Sequence, residues 1–105
     1  MVLKRNKLYE VRELIEAIDD VIPELEKEIE NRKKGIPGHG KINQLEFIKK
    51  ELEELRKMAI ENRLPPKNKR ALEYPWYFTD GWEVESQIED KLLDIATMYE
   101  RQLKD

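Results

Sequence analysis

Glycine, histidine and lysine meet in one stretch, Gly35-Ile36-Pro37-Gly38-His39-Gly40-Lys41, which matches the first seven positions of the phosphate-binding loop G-x-x-x-x-G-K-[ST]. That loop works by wrapping backbone N–H groups around phosphates while a hydroxyl at position eight holds magnesium. Position eight here is Ile42, and the preceding residues carry a helical rather than a strand pattern. Nucleotide hydrolysis is therefore not expected, and the glycines read as chain reversal. Loose anion binding by backbone amides with His39 and Lys41, at the start of the next helix, is the weaker alternative. His39 is the only histidine, and no Ser, Asp or Cys beside it reads as a catalytic partner.

Carboxylates are the second candidate chemistry. Glu13 with Glu16 and Glu51 with Glu54 have the E-x-x-E spacing that puts two acids on one helix face, as in MazG-like nucleotide pyrophosphohydrolases, but membership of that family is not claimed. With Leu8, Ile15, Ile22 and Ile29 as one apolar row, Glu13 and Glu16 point away from it. Of Glu85, Glu89, Asp90 and Asp94, only Glu85 lies close to the stripe of the last helix. These acids read as solvated faces; a divalent-metal-dependent all-α enzyme is the third-ranked reading, and no catalytic residue, metal ligand or cofactor is assigned.

Recognition is the third. The segment Leu72 to Trp82 holds five of the chain's eight aromatic residues in a run interrupted by Pro75. Leu72, Tyr74, Trp76 and Phe78 alternate with Glu73, Pro75 and Tyr77, a period of two that buries one face of an extended stretch. Leu72, Tyr74 and Phe78 are expected to be buried, and Trp76, Tyr77 and Trp82 are the candidate anchors at a protein interface, where aromatics are enriched. Positive charge gathers in Lys4, Arg5 and Lys7 and in Lys67, Lys69 and Arg70. These six are the candidate nucleic-acid or anion contacts, since cations meet a phosphate backbone and ring faces take unstacked bases. Residues 10–30 hold nine acids, as do residues 73–105, and both faces would repel that backbone.

The elements that position these groups are helices. Leu8, Val11, Ile15, Ile18, Ile22, Leu25 and Ile29 step by three and four, widened by Leu14 and Val21, as in an antiparallel bundle or coiled coil. Pro23 falls inside this run without breaking its phase, so one kinked helix is expected, ending at Gly35. A second helix is expected from Asn43 as cap, with Glu46 reaching back and Ile42 and Phe47 as staple. Leu45, Ile48, Leu52, Leu55 and Ala59 form its stripe, and it ends near Asn62. A third starts at Thr79 or Asp80, with Glu83 reaching back, and carries Val84, Ile88, Leu92, Ile95, Tyr99 and Leu103 to the end of the chain, with Leu93, Ala96 and Met98 broadening the stripe. The expected fold is all-α, a single antiparallel three-helix bundle, up-down-up, with an irregular aromatic segment between helices 2 and 3. That order brings the start of helix 1 and the second connection to one end, which would collect about seven positive charges beside the aromatics.

Composition bounds the rest. At 105 residues there is room for one core, and the 41% of charged residues at a net charge of −3 suits long solvated helices. Without cysteine there is no disulfide, thiolate metal site or cysteine nucleophile, which fits the cytoplasm. Neither a membrane span nor a signal segment is expected. The reading is a small non-enzymatic helical protein that binds a macromolecule, foremost a protein, as an adaptor, inhibitor or immunity-type protein does. Nucleic-acid binding is the alternative, and the long seam of helix 1 also suggests a homo-oligomer.

Overall fold

A computed structural model describes residues 7–38, 41–76 and 87–104. Among the described residues three helices pack together as a bundle, α1 (Val11–Lys33), α2 (Ile42–Ile60) and α3 (Gln87–Arg101), with a short 3-10 turn at Lys67–Lys69. Both α2 and α3 pack on α1. No helix among the described residues is long and apolar enough to cross a membrane.

α1 begins three residues later than the spacing suggests. Glu13 reaches back to accept the Glu10 N–H at 3.2 Å, which closes the first turn. Leu8 lies outside the helix and is half exposed. Tyr9 instead makes a one-residue parallel bridge with Leu103, its N–H donating to Gln102 O at 2.6 Å and its carbonyl accepting from Lys104 at 2.8 Å. The same bridge corrects the far end of the chain: α3 stops at Arg101, and Leu103 is buried as part of this pairing rather than as a helical residue.

Pro23 sits within one continuous α1, as its phase requires. The buried line is Leu14, Ile18, Val21, Leu25 and Ile29, with Ile15 and Ile22 at its margin. The centre of the seam is thus turned toward the residues expected only to widen it, because α1 must face two helices rather than one. These five are buried within the single chain, so they are not a surface for self-association. Gly35 ends the helix at φ +81, with Ile36 N–H donating to Asn31 O and Gly35 N–H to Arg32 O. That is a Schellman closure, and Asn62 at φ 56 repeats it after α2, with Arg63 N–H on Met58 O.

α2 buries Leu45, Ile48, Leu52, Leu55 and Ala59, the expected stripe. Its start differs: Lys41 is the cap, its N–H donating to Gln44 Oε1 at 3.1 Å. Asn43 and Glu46 are therefore already helical, and Ile42 is the first helical residue instead of the outer half of a staple.

The order of the helices differs from up-down-up. α2 is antiparallel to α1, with Arg56 on Asp19 at 2.6 Å and Glu46 and Lys49 beside Ile29 and Lys33. In α3, Lys91 pairs with Glu24 at 2.6 Å and Asp20 at 3.3 Å, whereas Lys104, past its end, lies 3.9 Å from Glu10. Residue numbers rise along α3 as they fall along α1, so α3 is antiparallel to α1 and the order is up-down-down. The chain after α2 does not reverse tightly into α3 but first runs back along the bundle. Arg70 lies over the Tyr99 ring and Leu72 N–H reaches Glu100, both in the last turn of α3, and the Tyr74 hydroxyl then reaches Leu92, more than two turns from that end.

Candidate functional site

The returning segment pairs with no strand among the described residues, so its backbone donors need acceptors from side chains. Two carboxylates supply them. Glu100 of α3 accepts the Leu72 N–H at 3.0 Å, and Glu51 of α2 accepts the N–H groups of Glu73 (2.8 Å) and Tyr74 (2.9 Å), one on each oxygen. The chain then turns, with Trp76 N–H donating to Glu73 O at 3.1 Å. Burial raises the Glu51 carboxyl above its usual range, with Glu73 and Glu54 pushing the same way and the two N–H donors opposing.

Leu72 and Tyr74 fill the space between α2 and α3, and Tyr74 is fully buried with its hydroxyl donating to Leu92 O. Burial, then the nearby Glu51 and Glu100, holds that phenol well above its usual range, so it stays a donor. Two residues on, Trp76 is 72% exposed. The period-two reading therefore holds for Leu72 to Tyr74 and fails at Trp76, which is in phase with them but turns outward because the chain goes helical at Pro75. Phe78, Tyr77 and Trp82 lie outside the described residues, as do Thr79, Asp80, Glu83, Val84 and Glu85.

The basic candidates divide. Lys4 and Arg5 lie outside the described residues. Lys7 is drawn to Glu13 at 3.2 Å and over the Tyr9 ring, and Arg70 donates to Pro65 O at 2.8 Å while facing Tyr99. Lys67 and Lys69 remain on the exposed 3-10 turn. These groups do not share a level with Trp76. Glu51, which fixes the 73–74 backbone, is nine residues from the end of α2, about 13 Å along the axis. The aromatic segment thus climbs away from the basic end, contrary to the expected coincidence of the two.

Carboxylates line a groove of about 210 Å³ between α1 and α3, formed by Glu13, Glu16 and Asp20 against Lys91, Asp94 and Ile95. Glu13 and Glu16 face α3 here, a correction that follows from the turned seam, and the acid that α3 contributes is Asp94. Burial, with repulsion from Asp90, raises the Asp94 carboxyl. The Lys91 ammonium occupies the space between Asp20 and Glu24, while Arg12 and Lys7 meet Glu16 and Glu13. Among the described residues no group of three or more His, Cys, Asp or Glu is placed to hold a metal ion.

His39 and Gly40 lie outside the described residues, but the start of the glycine stretch is the close of α1. Arg32 folds over it, donating to Ile36 O at 3.0 Å, and a Cβ on Gly38 would stand 2.0 Å from the Arg32 guanidinium. A side chain at position 38 would make the Arg32 guanidinium swing aside. What sequence reasoning missed is the role of Glu51 and Glu100. Both sit at ordinary helical spacings and look like surface acids until the segment that they hold is in place.

Comparison with known protein families, curated proteins and solved structures finds no match to this chain in any of the three.

Proposed function

We propose that this chain is a non-enzymatic binding protein that holds another protein through the surface around Trp76. The observation that carries the reading is the contrast between Tyr74, buried and bonded to Leu92, and Trp76, 72% exposed two residues later. An indole left this open forgoes about 3–4 kcal/mol of hydrophobic free energy in folding, which a partner can recover. The backbone leading to it is held at Glu73 and Tyr74 by Glu51, and its own N–H is bonded to Glu73 O, which lowers the entropy lost on docking. Tyr77 and Trp82 are proposed as neighbouring anchors on sequence grounds. An adaptor, inhibitor or immunity-type role fits such a surface, in a cytoplasmic setting for which the support is the cysteine-free sequence.

Nucleic-acid binding is the second reading, favoured by the exposed Lys67 and Lys69. A photo-crosslinking residue at position 76, with the same residue at Glu26 as control, tests the first. The expected outcome is a discrete protein adduct from position 76 only. Adducts of equal pattern from both positions would remove the reading.

A further inference from the structure

α2 places Phe47, Lys50, Glu51 and Glu54 along one side, being three and four residues apart. The returning chain runs along that side, and Glu73 closes with them a depression of about 240 Å³. Trp76 follows one turn later, tied to Glu73 by its own N–H. Glu54 and Glu73 are exposed, and neither pairs with a cation among the described residues. Three carboxylates thus share the depression with one lysine and a half-buried phenylalanine, and the exposed Trp76 lies three residues along the chain from Glu73.

We infer that this depression and the Trp76 indole receive an arginine-bearing segment of the partner protein, an inference that rests on the reading of Trp76 given above. The guanidinium is the group that matches both halves of the surface. It is planar and weakly hydrated, stacks on an indole face, and forks onto a carboxylate with two parallel hydrogen bonds. The carboxylates repel one another, since Glu73 and Glu54 both hinder ionisation of Glu51. A cation placed among them relieves that repulsion, whereas an acidic segment or a phosphate backbone adds to it. Lys50 answers only one of the three negative charges.

The probe is a blocked peptide of about twelve residues alternating arginine and alanine, compared with its glutamate counterpart and followed by two-dimensional NMR at low salt. The arginine peptide is expected to shift the Trp76 indole resonance and the amides of Glu54 and Glu73, and the glutamate peptide to shift none of them. The paired changes Glu54→Gln and Glu73→Gln should weaken binding at least about fivefold, while Glu26→Gln with Glu30→Gln, an equal change of charge on α1, should stay within about twofold. Equal loss from both pairs, shifts elsewhere, no binding, or self-association through Trp76 would overturn the inference. If a protein crosslinked at position 76 binds the Glu54/Glu73 variant unchanged, the interface stands and the arginine claim falls. If Trp76→Ala also leaves that protein's binding unchanged, both fall.

Discussion

The hydroxyl of Tyr74 donates to the backbone carbonyl of Leu92, so a side chain from an irregular segment is bonded to the middle of a helix. Tyr74→Phe keeps the ring and removes the bond, and should cost about 1 kcal/mol in urea denaturation. Tyr74→Ala removes the plug and should cost about 3–5 kcal/mol. Equal, small losses for both would mean that the segment does not hold α2 and α3 together.

Glu51 gives the fold a pH dependence of known sign. Its folded pKa is raised above the ordinary 4.5, chiefly by burial. A carboxyl of this kind binds more protons folded than unfolded between the two values, so its contribution is fully present below the unfolded value and is lost as pH rises through the folded one. Asp94 has the same sign. The stability of the parent relative to Glu51→Gln should therefore fall as pH rises from about 4 to 7. Urea midpoints across that range check it, and a rising difference would contradict the assignment.

The direction of α3 has its own test. A nitroxide on Lys104→Cys should broaden the amides around Glu10 to Leu14, where Lys104 meets Glu10, and spare those around Ile29 to Lys33. The two ends of α1 are about 35 Å apart, so the readings do not overlap. The reverse pattern would restore an up-down-up order.

How far the sequence carries can be seen in these elements. The stripe of α2 is legible residue by residue because one helix face meets one partner and the step of three and four is unbroken. α1 is legible as a helix but not in its rotation: rows through Ile15 and Ile22 or through Leu14 and Val21 both satisfy the period, and only packing against two neighbours selects the second. Leu72 and Tyr74 are recognisable as a buried half from their alternation with Glu73 and Pro75. The direction of α3 is not legible, since the long connection after Ile60 permits either order. Nor is the groove beside Asp94, which depends on that direction. The anchoring by Glu51 and Glu100 leaves no mark in the sequence, because a carboxylate that accepts backbone N–H groups has the same spacing as one that faces water.

The most direct test of the central claim is the affinity of the protein crosslinked at position 76, once purified, for the parent and for Trp76→Ala. Because Trp76 is 72% exposed, the substitution should change stability by no more than about 0.5 kcal/mol, so a binding defect would not reflect unfolding. The account predicts at least about a tenfold loss of affinity, the scale of an aromatic hot spot. An unchanged affinity in a fully folded variant would contradict it.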